Sequence, residues 1–273
     1  MKNVWVIILF TLREAVARKV FIFFMGITLL VLLIMALVFG LTDTQSIMAL
    51  MNPTGEETIL VDIIRNLEFL IVNPLANLGL LLAIFSSASF IPVMLEQGNI
   101  DLLLSKPVSR TQLLIGKYLG VLLFVFINIF VFVFGVWFII SVKFGYWDAS
   151  FLLISVLITF AFALLYALIV LFNVTTKSSI PGMMAAYLIF LIVSPLMLFY
   201  KEQLHLHIES GVIKLLLDGL YYVVPQTAEL MGRMLYQTAS GNIIENFQPV
   251  ITSILFIILT LSFSIFLFRK KDF

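Results

Sequence analysis

A polar and charged segment, residues 96 to 117 (EQGNIDLLLSKPVSRTQLLIGK), lies between two long apolar runs of this chain. It contains the carboxylates of Glu96 and Asp101 together with three basic side chains, so it can form ion pairs and hydrogen bonds in water. No nucleophile with an adjacent general base stands out in the sequence, which therefore indicates no catalytic residue. We expect this segment to be a contact site for a partner in the aqueous phase.

The spacing within the segment predicts a short helix, a turn and a second helix. The first helix would have one apolar side, formed by Ile100, Leu103 and Leu104. Asp101 and Ser105 would lie on another side, and Pro107 would end the helix because it lacks a backbone N–H. Ser109 and Gln112 have the Ser-x-x-Gln spacing of a capping box, which predicts a new helix that runs into the next apolar run.

Two interpretations of the segment are open from spacing alone. Its apolar side could dock into a groove on a partner, with Lys106 and Arg110 at the rim of the contact. It could instead be an ordinary charged loop on the side of the membrane where Lys and Arg are enriched.

The elements that hold this segment are membrane helices, as the composition shows. The chain is 62% hydrophobic and 11% charged, with a mean hydropathy of +1.17, whereas a soluble domain carries about 25% charged residues. Its apolar runs are continuous, whereas a transmembrane β-barrel would show alternation with a period of two. The chain has no cysteine, which excludes disulfides. We therefore predict an all-α polytopic membrane protein that forms a single domain over residues 1 to 273.

Six segments are long enough to cross the roughly 30 Å of hydrocarbon in a bilayer. The predicted spans are residues 20–41, 73–95, 114–142, 149–172, 180–200 and 247–268. Pro74 is expected near the start of the second span, where a missing N–H costs nothing. Pro92 and Pro195 lie inside spans and predict kinks.

The charge distribution predicts the orientation of the chain. With both termini in the cytoplasm, most Lys and Arg residues lie on the cytoplasmic side, as the positive-inside rule requires. Segments 42–72 and 201–246 then lie outside, and the second has an apolar run, 212–224, that predicts an interfacial or extracytoplasmic helix. Residues 1–19 predict an amphipathic elbow helix in the cytoplasmic interface, with one apolar face formed by Trp5, Ile8, Leu9, Leu12 and Val16.

The predicted spans contain essentially no ionisable side chain, which argues against an ion-coupled carrier. They do contain weakly polar residues, among them Ser86, Ser89, Asn128, Thr159 and Tyr166. These residues could pack helices together, or they could line a path for an amphipathic substrate. Gly116 and Gly120 form a Gly-x-x-x-Gly pair that could be a close-packing site or a chance match.

Neither nucleotide nor metal chemistry is indicated within the chain. It has no Gly-x-x-x-x-Gly-Lys-Ser/Thr loop, so an ATPase would have to be another chain. His205 and His207, followed by Glu209, are too few for a convincing chelate. We expect these residues in a solvent-exposed outer loop, and we predict no metal site, no cofactor in this chain and no nucleic-acid partner.

The 96–117 segment resembles the coupling helix of type-2 ABC exporter permeases. Their usual pattern is approximately Glu-x-x-x-Gly-Thr-Leu-Glu-Leu-Leu-Leu-Ser-x-Pro-Val-Ser-Arg, followed by Leu-Gly-Lys at the start of the third span. The matching residues, in order, are Glu96, Gly98, Asp101, Leu102, Leu103, Leu104, Ser105, Pro107, Val108, Ser109, Arg110, Gly116 and Lys117. Asn99 departs from the common Thr, and Glu96 is closer to Gly98 than usual. The long outer segment is similar to that of the NosY-like branch, which is associated with multicopper-enzyme maturation.

The resemblance implies a permease dimer, of identical or different chains, in a bacterial or archaeal cytoplasmic membrane. Each permease would dock on a separate cytoplasmic ATPase that holds the ATP and Mg, and an extracytoplasmic accessory protein is possible. The residues that it assigns to the ATPase contact are Glu96, Gly98, Asp101, Leu103, Leu104, Pro107, Ser109 and Arg110. Two alternatives are a membrane scaffold that anchors an outer partner and an ion-coupled carrier. The substrate stays open.

Overall fold

The computed structural model describes residues 2–46, 60–105, 108–208, 210–242, 244 and 246–271. These described residues are helical throughout their regular elements and contain no strand. Six helical stretches among them are long and apolar enough to cross a membrane: Val20–Leu41, Val61–Met94, Arg110–Phe144, Ala149–Thr176, Ser179–Leu204 and Gln248–Lys270. The all-α class and the six spans predicted from the sequence are confirmed, and these stretches are called the first to sixth spans below.

The helix of the second span begins well before the predicted boundary at residue 73. It runs over Leu60–Ser87 with Pro74 inside it, so the expectation that Pro74 lies near a helix start is wrong. The apolar run is interrupted by Asp62, Arg65 and Glu68, but the helix continues through them. A prediction from continuous apolar residues therefore does not include this part of the helix. Glu68 lies on this helix, before the predicted span 73–95, and is buried.

The fourth span forms the centre of the bundle. Within its most apolar stretch 72% of the residues are buried, compared with 17% in the first and sixth spans. The third span packs on one side against the fourth and on the other against an N-terminal helix, Lys2–Ala17. The first, fifth and sixth spans therefore leave broad apolar faces for lipid or for another membrane chain.

The N-terminal helix packs tightly against two glycines of the third span. A Cβ atom on Gly116 would lie 2.7 Å from Ile7, and one on Gly120 would lie 2.6 Å from Thr11. The Gly-x-x-x-Gly pair is therefore a close-packing site. Thr11 is fully buried at this contact, so the polar side of the N-terminal helix faces protein, while Trp5 and Val16 are exposed on the other side.

The predicted interruption at Pro92 is present and has a specific partner. The helix of the second span stops at Ser87 and resumes as Phe90–Met94. Pro92 has no N–H to donate to the carbonyl of Ala88 four residues earlier. That carbonyl instead accepts a 2.8 Å hydrogen bond from Nδ2 of Asn173, a fully buried residue of the fourth span. At the second predicted kink, a π-helical turn, Ile189–Val193, ends two residues before Pro195.

Gly182 allows the fifth span to approach Asn173. A Cβ atom at this position would lie 2.9 Å from both Oδ1 of Asn173 and the backbone oxygen of Ile169, which cannot move aside freely. We expect Gly182→Ala to lower the free energy of unfolding by about 1–3 kcal/mol through overpacking. Gly26→Ala is the matched control, since nothing lies within 4 Å of its added methyl group. Unfolding in mixed detergent micelles measures both changes, and equal stability of the two variants would contradict this account.

Candidate functional site

The segment between the second and third spans is built on two caps. Gly98 has φ of +87°, a conformation that favours glycine, and its N–H donates to Oδ2 of Asp101 at 3.3 Å. This turn starts the short helix Asn99–Leu104. Asp101, which the resemblance to ABC permeases assigns to the ATPase contact, therefore also fixes the start of the helix.

The second cap starts the third span and confirms the predicted capping box. Oγ of Ser109 accepts from the backbone N–H of Gln112 at 3.2 Å, and the Ser109 N–H donates to Oε1 of Gln112 at 3.2 Å. The helix then continues without interruption over Arg110–Phe144. A displacement of the segment at Ser109 would consequently reach the whole third span.

Part of the apolar side of the short helix packs within this chain, so Ile100 is not available for the docking that the spacing suggested, whereas the docking role of the other residues stays a prediction. Ile100 is 1% exposed in the hydrophobic core, and Leu103 is half-buried against that core. The side chain of Leu104 and all of Lys106 and Pro107 lie outside the described residues. The side that faces solvent is polar and consists of Glu96, Gln97, Asn99, Asp101 and Ser105.

Arg110 also has an intramolecular role that spacing did not reveal. Its Nη1 donates to carbonyl oxygens at the C-terminal end of the sixth span, namely those of Phe268 (3.3 Å), Arg269 (3.2 Å) and Lys271. Helix C-termini expose unpaired carbonyls, and a guanidinium satisfies several at once. Nζ of Lys271 in turn donates to the carbonyls of Val174 and, at 3.0 Å, Thr175 at the end of the fourth span. The ends of the third, sixth and fourth spans are thus linked in series.

A buried ion pair joins the third span to the N-terminal helix. Nζ of Lys117 binds Oε2 of Glu14, and only 2% of the Lys117 side chain is exposed. Oε1 of Glu14 binds Arg18 at 2.5 Å, so one carboxylate serves two cations. Two features of the sequence are typical of such a pair: the four-residue spacing of Glu14 and Arg18, and a lysine on an otherwise apolar helical side.

The five weakly polar residues proposed for a substrate path do not converge. Asn128 lines a cavity of about 160 Å³ between the first four spans, whereas Ser86, Ser89, Thr159 and Tyr166 are not among its lining residues. Ser86 and Thr159 donate to carbonyls of their own helices, at 3.2 and 2.7 Å. Tyr166 is fully buried and stacks on Tyr118, with ring centroids 5.7 Å apart. These contacts favour helix packing for this group of residues.

A second cluster of charges lies at the opposite end of the second span. Arg65 binds Asp148 at 3.1 Å, and Asp148 also accepts from the backbone N–H of Ser150 at 3.0 Å, which caps the start of the fourth span. Burial alone would raise the pKa of Asp148, but the bonds from Ser150 and Arg65 outweigh burial and leave the pKa below its ordinary value. Glu68 is buried in the same region. The cluster joins the extended second helix to the turn between the third and fourth spans.

The histidines of the long 201–246 segment are engaged in local contacts. Nε2 of His205 lies 3.3 Å from Asp218 on the helix Gly211–Val223, and His207 contacts the carbonyl of Gln203 at 2.9 Å. Glu209 lies outside the described residues. Within the part of the chain that the structure describes, no three His, Cys, Asp or Glu residues are grouped as a metal ion would require.

Six helices long and apolar enough to cross a membrane, found within the part of the chain that the structure describes, are the architecture of a polytopic membrane protein. The model of the ABC-2 family transporter proteins matches residues 5–273, nearly the whole chain. The chain therefore belongs to this family of ABC permeases and is a multi-pass membrane protein. A comparison with curated proteins finds no match.

Proposed function

We propose that this chain is the membrane-spanning subunit of an ABC exporter and that its 96–105 segment contacts a separate ATPase. The observation that carries the proposal is the solvent-facing polar side of a short helix that is capped at its start and lies next to a capped span. ABC permeases contain no nucleotide site of their own, and this sequence has no phosphate-binding loop. ATP and Mg would be held by the ATPase, and this chain would not catalyse hydrolysis.

The contacts of Arg110 and Lys271 supply a route for mechanical coupling. When the ATPase closes on ATP, its displacement of the segment would move the start of the third span. Arg110 would carry that displacement to the end of the sixth span, and Lys271 would carry it to the end of the fourth. Three span ends would shift together and open a path between this chain and a second permease, identical or different.

This role requires the 96–105 segment to face the cytoplasm of a bacterial or archaeal cell, with both termini on that side of the cytoplasmic membrane. The N-terminal helix would lie in the cytoplasmic interface, where its exposed Trp5 suits the headgroup region. The 201–246 segment would then be outside and could contact an accessory protein.

The test is a charge reversal on the exposed polar side. Glu96 is exposed on that side, so Glu96→Lys places a cation where the ATPase would meet a carboxylate. We expect about tenfold weaker co-purification with the cognate ABC ATPase and a matching loss of permease-stimulated hydrolysis. Asp62→Lys is the matched control, because it makes the same charge change at an exposed site at the other end of the second span. Normal coupling by Glu96→Lys, or an equal loss with Asp62→Lys, would reject the proposal.

A further inference from the structure

A cavity of about 480 Å³ lies beside the short helix, at the level where the second span ends and the third begins. Its lining comes from four elements and consists of Phe10, Glu14, Arg18, Val93, Met94, Asn99, Leu103, Ser105 and Lys117. Ends of membrane spans lie near the lipid headgroups. The cavity therefore opens where the polar and apolar parts of a bilayer meet.

The charged part of this cavity carries an excess of one positive charge. Arg18 and Lys117 share the single carboxylate of Glu14. A guanidinium has five N–H donors, and the one ion pair that Arg18 makes among the described residues uses its Nη2. One face of the guanidinium lies over the ring of Phe90, with 5.4 Å between Cζ and the ring centroid. The N–H donors that the Glu14 ion pair does not use remain for a ligand. A partly enclosed, uncompensated positive charge favours an anion, because surrounding protein screens it less than water does.

Another part of the cavity lining is apolar. Val93 and Met94 from the second span, Leu103 from the short helix and Phe10 from the N-terminal helix contribute to it. Phe10 is 50% exposed, so the cavity borders the outer surface of the bundle. A soluble anion would gain nothing from this wall, whereas an amphiphile with an anionic head and hydrocarbon chains fits both parts.

We propose that this cavity binds the phosphate headgroup of an anionic membrane lipid. The phosphate lies against Arg18, and the first carbons of the lipid chains lie against Val93 and Leu103. Because Asn99, Leu103 and Ser105 form one wall, the bound lipid fixes the short helix relative to the N-terminal helix. Binding requires only this chain in a membrane, and no ATPase contact.

Native mass spectrometry of the purified full chain, titrated with phosphatidylglycerol and with phosphatidylcholine of the same acyl chains, tests this assignment. We expect wild type to prefer phosphatidylglycerol by about tenfold. Arg18→Gln should weaken phosphatidylglycerol binding by about fivefold, the effect of one basic residue facing anionic lipid. Arg13→Gln removes the same charge from an exposed position of the N-terminal helix, outside the cavity, and should leave binding within about twofold of wild type.

Two further measurements test the apolar part of the cavity and the identity of the anion. Val93→Trp fills the apolar part without altering a charge and should weaken phosphatidylglycerol binding even if Arg18→Gln does not fold. Inorganic phosphate should fail to displace the lipid, whereas displacement at millimolar concentration would assign the site to a soluble anion and overturn the lipid. Equal binding of the two lipids, equal effects of Arg18→Gln and Arg13→Gln, or full affinity in Val93→Trp would each overturn it. No ATPase is present, so these outcomes do not bear on the proposed function.

Discussion

Replacing Glu14 with leucine is expected to destabilise the folded protein by about 3–5 kcal/mol. The substitution leaves Lys117 charged at a site where 2% of its side chain is exposed, with no carboxylate to compensate it. Removing one partner of a buried ion pair costs this much because the remaining charge cannot regain its water. Arg18, with 27% of its side chain exposed, can turn towards solvent and should contribute little to the loss.

The double variant Glu14→Leu/Lys117→Met separates this cost from ordinary loss of packing. With both charges removed, the buried site is apolar, and stability should return to within about 1 kcal/mol of wild type. Arg13→Leu, an exposed change on the same helix, should stay within about 0.5 kcal/mol. The free energy of unfolding in mixed detergent micelles is the measurement. A double variant as unstable as Glu14→Leu alone would show that Lys117 does not depend on Glu14.

Asn173→Ala is expected to cost about 1–3 kcal/mol, and this cost should depend on Pro92. Asn173 supplies the hydrogen that the carbonyl of Ala88 lacks because Pro92 has no N–H. In a Pro92→Ala background the helix can supply its own N–H to Ala88. The penalty for Asn173→Ala should then shrink by at least about 1 kcal/mol in a double-mutant cycle.

Asn128→Ala is the matched control for this cycle. Asn128 is also a fully buried asparagine, but its Nδ2 donates to the carbonyl of Phe124 within its own helix, at 3.0 Å. Its cost should be the same with proline or alanine at position 92. If Pro92→Ala changes the cost of Asn173→Ala and of Asn128→Ala equally, then Asn173 does not stabilise the fold by replacing the N–H that Pro92 lacks.

The helical extent of the second span shows where hydropathy stops being a guide. Residues 60–72 keep a helical period, but Asp62, Arg65 and Glu68 break the apolar run that marks a span. Their helix is held by packing and by the bond from Arg65 to Asp148, a residue far along the chain. A search for continuous apolar runs cannot detect such a contact, so it does not predict that the helix begins at Leu60, before the predicted span boundary at residue 73.

In the candidate site, contacts between neighbours in the chain were predictable from the sequence, whereas contacts between distant residues were not. The Ser109–Gln112 cap was predicted correctly because its two residues lie within one turn of the chain. The role of Arg110 at the end of the sixth span was missed, because its carbonyl partners are distant in sequence. The bond between Lys117 and Glu14 was missed as well. Lys117 lies where the charged 96–117 segment overlaps the predicted third span, and it was interpreted as part of the charged segment.

By itself the sequence determined the all-α membrane class, the six spans and the capped segment that joins the second to the third. Bilayer thickness sets the length of an apolar helix, and caps form between neighbours in the chain, so both can be recognised without a fold. Only the tertiary structure decided which sides of these helices are used internally. Ile100 lies inward and the polar side of its helix is exposed, because burial depends on which helices pack around a residue.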